Sequence, residues 1–66
     1  DALRALRREL AEEAQVPPYV IFHDATLREM TERRPGTAEE MGRIAGIGAR
    51  KLETYGERFL KAIREH

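Results

Sequence analysis

Residues 16–22, Val-Pro-Pro-Tyr-Val-Ile-Phe, constrain this chain most, because they form its one densely apolar stretch in a sequence rich in charge. Two consecutive prolines cannot continue a helix, since proline lacks the backbone N–H and has a fixed φ. Any helix before them must therefore end at about residue 15 or 16. The four large residues that follow are too few for a core helix, and the chain offers no second strand to pair with them. We predict a single 3₁₀ turn or irregular aromatic plug, around which helices pack.

Apolar residues at helical spacing on both sides of this plug predict amphipathic helices joined by short loops. The predicted ranges are 2–15, 24–34, about two turns from residue 38 to residue 46, and a last helix that opens at residue 49. Short loops require consecutive helices to turn back on one another. The predicted fold class is therefore all-α, a compact bundle of four to five short helices.

Local signals predict how these helices begin and which faces they expose. Asp24 is expected to be the N-cap of the second helix, with Thr26 as a competing start two residues later. Thr37 and Glu40 have the spacing of a capping box at the start of the third helix. The charged residues of the first helix, Arg7 among them, are predicted to lie on its solvent faces.

Length and composition limit the chain to one small domain. With 66 residues it can bury a single core, so we expect residues 1–66 to be one domain of a longer protein. There is no cysteine, and two histidines are too few for a histidine-rich metal site. The longest apolar run is far shorter than the roughly 20 residues that a membrane-spanning helix needs. We predict no metal site and no membrane segment.

The charge balance gives no reason to expect strong binding to nucleic acid, because acidic and basic residues number 12 each. Residues 46–66 are the exception, with five basic against three acidic side chains. Any basic patch should therefore centre on the last helix. Solvent-exposed ion pairs on helix faces are the simpler interpretation of the remaining charge.

Gly46-Ile47-Gly48, between the last two predicted helices, is the most specific functional signal. The glycines permit close approach to a partner, and the free amides at the start of the last helix suit a phosphate. With Arg50 and Lys51 just beyond, the segment looks like the hairpin of a helix-hairpin-helix DNA-binding element. The alternative is a tight interhelical turn in which Ile47 fills the core.

Tyr19 is the second candidate. If Val20, Ile21 and Phe22 fill the core, the tyrosine ring stands at the surface on a rigid diproline, where it could stack on an unpaired base. The alternative is a core tyrosine whose hydroxyl reaches water.

Two further features receive structural interpretations. His23 and Asp24 are adjacent as in half of a catalytic dyad, but no nucleophile accompanies them, so we predict no catalytic residue. Gly56 lies inside the last helix, where glycine costs about 1 kcal/mol relative to alanine. We therefore expect close approach by another element at Gly56, with the aromatic plug as the expected neighbour.

Taken together, these segments resemble the HRDC domain, a name that stands for helicase and ribonuclease D C-terminal. The matching positions are Val16-Pro17-Pro18-Tyr19-Val20-Ile21-Phe22, Asp24-Ala25-Thr26-Leu27, Met30, Pro35, Thr37, Gly46-Ile47-Gly48, Lys51-Leu52-Glu53, Tyr55-Gly56, Phe59 and Ile63. The resemblance covers nearly the whole chain. It is closest to the version in RecQ helicases, through the segments Pro-Pro-Tyr-Val-Ile-Phe and Lys-Leu-Glu-x-Tyr-Gly.

The resemblance implies a bundle of about five short helices that serves a RecQ-type, ATP-dependent 3′-to-5′ DNA helicase in recombination and repair. The domain would be an accessory module for nucleic-acid binding and substrate targeting, with Tyr19 and neighbouring basic residues in contact with single-stranded or partly duplex DNA. ATP and Mg²⁺ would belong to the helicase motor, so the domain itself is expected not to be an enzyme. We also expect a monomer in the cytoplasm of a bacterium, associated with the nucleoid.

Two alternatives stay open at this point. Family members that bind DNA well tend to be basic, whereas this chain has zero net charge and few phosphate contacts to offer. It could instead be a protein-interaction module that docks on the helicase core or on a repair partner. It could also be the RNA-binding accessory domain of a ribonuclease D-like exonuclease.

Overall fold

The computed structural model describes all 66 residues and contains five α-helices and no strand. They are α1 (Ala2–Ala14), α2 (Pro18–Ile21), α3 (Asp24–Arg33), α4 (Ala38–Met41) and α5 (Ala49–Glu65). α1 packs against α2, α3 and α5, and α4 packs against α5. The predicted all-α bundle of short helices is therefore confirmed. None of the five helices has the length and apolar character that crossing a bilayer requires.

One hydrophobic core lies between the helices, and aromatic rings form its centre. Phe22 is fully buried and meets the Phe59 ring edge to face, with ring centres 5.1 Å apart. Tyr55 lies on another side of Phe22, at 6.1 Å. The remaining buried apolar residues are Leu3, Leu10, Ala11, Ile21, Leu27, Met30, Met41, Ile44, Ile47 and Ile63. Because complete burial of a large apolar side chain contributes about 1.5–3 kcal/mol, this cluster stabilises the fold.

The diproline segment ends α1 and starts α2. Gln15 ends α1 in a left-handed conformation with a φ of 58°, and the Val16 amide donates to the Ala11 carbonyl. Pro18 then occupies the first position of α2, where a helix needs no N–H. The Phe22 amide closes the turn on the Pro18 carbonyl at 3.4 Å. The segment is thus a single α-helical turn instead of the predicted 3₁₀ turn or irregular plug.

The exposure of this apolar run differs from the prediction at Val20. Ile21 and Phe22 are fully buried, but 41% of Val20 is exposed. A helical turn directs successive side chains to different sides, so consecutive residues cannot all face one core. The interpretation that Val20 helps to fill the core is therefore wrong.

Arg7 joins α1 to the connection between α2 and α3. Its side chain is buried, and its guanidinium donates a 2.8 Å hydrogen bond to the Phe22 carbonyl oxygen. A second nitrogen of the same group lies 2.8 Å from the Asp24 carboxylate. Arg7 lies on the same helix face as Leu3 and Leu10, four residues after one and three before the other. Its predicted position on a solvent face is wrong.

Asp24 is the first residue of α3 and not its N-cap. The cap is His23, whose side chain makes no capping hydrogen bond. The Asp24 carboxylate is directed to Arg7 instead, so the predicted cap is wrong, although a negative charge in the first turn still suits the helix dipole. The competing start at Thr26 is also wrong, since the Thr26 hydroxyl donates to the Ala45 carbonyl at 3.1 Å.

The predicted capping box at the start of α4 is present, except that one of its two hydrogen bonds involves a different backbone amide from the one expected. The Glu40 amide donates to the Thr37 hydroxyl oxygen at 3.1 Å, as the pattern predicts. The Glu40 carboxylate accepts from the amide of Gly36 at 2.9 Å, which is one residue before the expected partner.

α4 is shorter than predicted and ends at Met41 instead of near residue 46. The chain continues in turns closed between residues three apart, with amide-to-carbonyl bonds from Ile44 to Met41 and from Ile47 to Ile44. All three of these side chains are buried. A spacing of three residues brings side chains to one side of a 3₁₀-type turn, which explains why the chain leaves the α-helix here.

Gly46 and Gly48 differ in what the fold requires of them. Gly46 has a φ of +91°, and a Cβ atom added there would lie 2.3 Å from the hydroxyl oxygen of Thr26. Gly48 has an ordinary φ of −83°, and an added Cβ would meet no atom within 4 Å. Ile47, between the two glycines, is buried in the core. The fold therefore requires a glycine at position 46 and an apolar side chain at position 47, but it does not require a glycine at position 48.

Gly56 is buried in the middle of α5. A Cβ added there would lie 3.0 Å from Leu52 of the same helix and 4.0 Å from the sulfur of Met41. The tight contact is therefore with α5 itself, whereas α4 lies at an ordinary packing distance, so the predicted close approach by another element is wrong.

We predict that Gly46→Ala and Gly48→Ala have very different effects on stability. Gly46→Ala forces a left-handed φ and a contact with Thr26, so it should lower the free energy of unfolding by about 1–3 kcal/mol or more. Gly48→Ala should change it by less than about 1 kcal/mol, because a slightly poorer cap opposes a less flexible unfolded chain. Urea denaturation followed by circular dichroism measures both, and equal losses would contradict the assignment.

Candidate nucleic-acid interface

Tyr19 lies at the surface. Of the two alternatives that the sequence left open, a surface tyrosine and a core tyrosine, the structure has the first. Its side chain is 59% exposed, and its ring stacks on the ring of His23 with centres 6.0 Å apart and planes 26° apart. Pro17 and Pro18 precede it, and Arg7 donates to the carbonyl oxygen of Phe22, the residue that caps the end of α2. The ring is therefore presented on a short, rigid turn, and its face is available for stacking.

A surface depression next to this ring combines aromatic and charged groups. Its lining residues are Arg7, Pro18, Tyr19, His23, Asp24 and Ala25. Arg7 is buried beneath, whereas 62% of the Asp24 side chain is exposed. Asp24 also lies 3.8 Å from the guanidinium of Arg4, which is half exposed. Two arginines from α1 thus meet one carboxylate from α3 beside the tyrosine.

These arginines change the proton affinity of Asp24. The hydrogen bond from Arg7 and its positive charge hold the pKa of Asp24 below its ordinary value of 3.8, and the charges of Arg4 and Arg28 act in the same direction. Each interaction favours the ionised carboxylate. Asp24 is therefore an anion at every physiological pH.

The second candidate segment opens α5. Gly48 is the N-cap and contributes no side-chain hydrogen bond, and the first turn contains no acidic residue. The amides at this helix start have no partner within the helix, and the dipole makes this end positive. Arg50 is exposed, and the Nζ atom of Lys51 lies 5.9 Å from the centre of the Phe22 ring. Neither basic side chain makes an ion pair in the structure.

The first turn of α3 has contacts next to both candidate segments. Asp24 in this turn lines the depression beside Tyr19. Two residues later, Thr26 contacts the chain at Ala45 and Gly46. The Nζ atom of Lys51 lies over the ring of Phe22, two residues before α3 begins. Of the predicted contact residues, Ile47 alone is buried, so it shapes the turn from inside.

Sequence reasoning missed the groups that surround Tyr19. The burial of Arg7 could have been found from its spacing with Leu3 and Leu10, which is that of one helix face. No sequence signal indicated the stacking of His23 on Tyr19, because it depends on the extended backbone of Phe22 and His23 between α2 and α3. The structure contains no group of three or more His, Asp or Glu side chains placed to hold a metal ion.

The ion pair between Arg7 and Asp24 predicts a specific dependence of stability on pH. Because the pKa of Asp24 is lower in the folded state, the stability that it adds is present above pH 3.8 and is lost as pH falls through the folded pKa. The free energy of unfolding should therefore fall more steeply with acidification in the wild type than in Asp24→Asn. Urea denaturation between about pH 6 and about pH 2 measures this.

Glu32→Gln is the matched control for that experiment, since Glu32 is an exposed carboxylate on α3 that makes no ion pair. It should retain the wild-type steepness. Parallel curves for the wild type and Asp24→Asn would contradict the assignment of the acid-sensitive pair.

Comparison with known proteins gives consistent matches over almost the entire chain. A family model described as HRDC domain matches residues 1–63. The ATP-dependent DNA helicase RecQ of Haemophilus influenzae is 45% identical over 64 residues, which are 97% of this chain and 10% of that protein. The ATP-dependent DNA helicase UvrD2 of Mycobacterium tuberculosis is 44% identical over 62 residues, 94% of this chain and 9% of that protein.

A solved structure described as HRDC domain 3 of D. radiodurans RecQ superposes with a TM-score of 0.93 at 44% sequence identity. The match covers 97% of this chain and 84% of that one. The chain spans about a tenth of the length of the helicases that it matches.

Proposed function

We propose that this chain, which belongs to the HRDC domain family, is an accessory nucleic-acid-binding and regulatory domain of a RecQ-type ATP-dependent DNA helicase. The observation that carries the proposal is an exposed tyrosine directly after a diproline, and a helix start with two basic side chains that make no ion pair supports it. Single-stranded nucleic acid is recognised by this combination of an aromatic platform and positive charge.

Tyr19 supplies the platform. An unpaired base stacks on the exposed face of its ring, and the stacked His23 and the two prolines keep the ring in place. A preformed platform binds more tightly than a mobile one, because less conformational entropy is lost on binding. Any of the four bases can stack in this way, so the contact selects unpaired strands over duplex without reading sequence.

The start of α5 supplies the phosphate contacts. The amides that follow Gly48 point out of the helix, and the absence of a side chain at Gly48 lets a phosphate approach them. Arg50 and Lys51 add positive charge, and neither makes an ion pair within the chain. Gly46 and Ile47 act on this surface indirectly, by fixing the turn that precedes the helix.

Weak binding suits a targeting role. With zero net charge the domain makes few phosphate contacts, and such contacts supply most of the non-specific affinity for nucleic acid. The domain would bias which structured DNA the helicase engages, while unwinding, with its ATP and Mg²⁺, belongs to the motor of the longer protein. The proposal includes a monomeric domain that works at the bacterial nucleoid in the cytoplasm.

Fluorescence anisotropy of a labelled single-stranded oligonucleotide tests the proposal. We expect the domain to bind at low salt and more weakly at physiological salt. Tyr19→Ala should weaken binding by about 5- to 150-fold, the equivalent of about 1–3 kcal/mol for one stacked base. Lys51→Glu should also weaken binding and lower the dependence on salt.

Each variant has a matched control. Val20→Ala truncates the next exposed residue of α2 without removing a ring, and Lys61→Glu reverses the other lysine of the chain, which also lies on α5. Both controls should bind about as well as the wild type. Equal losses in a variant and its control would contradict the assigned surface, and absence of binding by the wild type at low salt would contradict DNA binding altogether.

A second candidate, docking on the helicase core, is favoured by one observation. α2 exposes both Tyr19 and Val20, and these are the large apolar side chains that the core does not cover. Such a pair suits a small protein contact as well as a base. In that case Val20→Ala would weaken association with the core and leave oligonucleotide binding unchanged.

A further inference from the structure

We propose that Asp24 competes with a nucleic-acid phosphate for the arginines beside Tyr19, and so sets the affinity of this surface for single-stranded nucleic acid. This inference rests on the proposed function, because it assigns a phosphate subsite next to the tyrosine. The family resemblance implied basic neighbours of Tyr19, but the sequence identified neither these arginines nor the role of Asp24.

The geometry places one carboxylate among three arginines. The Asp24 carboxylate lies 2.8 Å from Arg7 and 3.8 Å from Arg4, both on α1. Arg28 follows Asp24 by one turn on the same face of α3. Arg4 also lies 3.9 Å from the carboxylate of Asp1. Two carboxylates and three guanidinium groups therefore form one cluster, and the cluster has a net positive charge.

Asp24 occupies the position that a bound phosphate would need. Its carboxylate lines the depression that Tyr19 and His23 also line, and most of its side chain is open to solvent. A strand whose base stacks on Tyr19 would carry its phosphate along this depression. Arginine binds phosphate and carboxylate in the same forked geometry, so the two anions exclude each other.

The negative charge of Asp24 is not needed to build α3. His23 is the N-cap, and the helix begins without a hydrogen bond from the Asp24 side chain to its own backbone. Asparagine retains an oxygen that can accept the hydrogen bond of Arg7. Asp24→Asn therefore removes the charge and keeps the connection between α1 and α3.

The test measures the affinity of the domain for a labelled single-stranded oligonucleotide by fluorescence anisotropy at low salt. Asp24→Asn should bind about two- to tenfold more tightly than the wild type, as expected for removing one like charge a few ångströms from a phosphate near the surface. Glu32→Gln is the control, because it makes the same change of net charge on the exposed face of the same helix. It should change affinity less than about twofold.

A double variant tests whether Asp24 acts on the same binding surface as Tyr19. In Tyr19→Ala the gain from Asp24→Asn should largely disappear, because adjacent groups that contact one ligand do not act additively. Circular dichroism checks that each variant is folded. Asp24→Ser, which also removes the charge, replaces Asp24→Asn if that variant unfolds.

An affinity of Asp24→Asn equal to or below that of the wild type would overturn the inference, and so would three other results. An equal gain in Asp24→Asn and Glu32→Gln would show an effect of net charge only, and a full gain in the Tyr19→Ala background would separate Asp24 from the tyrosine. In both cases a loss of binding in Tyr19→Ala alone leaves the proposed function standing. No binding by any variant at low salt would overturn the proposed function as well.

Discussion

The interaction on which the rest of this structure depends is the contact of the buried Arg7 with the end of α2. One guanidinium holds the Phe22 carbonyl and the Asp24 carboxylate at 2.8 Å each, and so fixes three helices relative to one another. A hydrogen bond from a charged group contributes about 1.5–3 kcal/mol, a large share of the stability of a small domain. It orients α2 so that Phe22 enters the core while Tyr19 remains outside. The same contact therefore sets the core and the candidate interface.

The proposed nucleic-acid binding does not require a net positive charge on the whole chain. Total charge governs long-range attraction, but contact depends on which basic groups are free at one place. At the start of α5 the dipole, Arg50 and Lys51 are not neutralised, whereas Asp24 offsets the arginines beside Tyr19. The sequence located Tyr19 and the basic start of α5. Whether the tyrosine was buried depended on the direction of one helical turn, which only tertiary contacts determine.

Periodicity and the diproline were sufficient to predict the fold class, the order of the helices and most of their bounds. The errors arose where a long-range partner overrode a local preference. Asp24 has the residue type of a cap, but Arg7 binds it more favourably from another helix. Arg7 was assigned to the surface because it is charged, although its neighbours in the helix face the core. Met41, Ile44 and Ile47 fit an α-helix and a 3₁₀-type turn equally well, so their spacing could not locate the end of α4.

The most direct test of the central claim, that Tyr19 and the start of α5 form one nucleic-acid interface, is a nuclear magnetic resonance titration. Backbone amide resonances of the isotope-labelled domain are followed while a short single-stranded oligonucleotide is added. We expect the largest shifts to occur together at Tyr19, His23 and residues 48–51, with the C-terminal halves of α1 and α5 little affected. Shifts confined to the surface between α1 and α5, or no shifts at low salt, would contradict it.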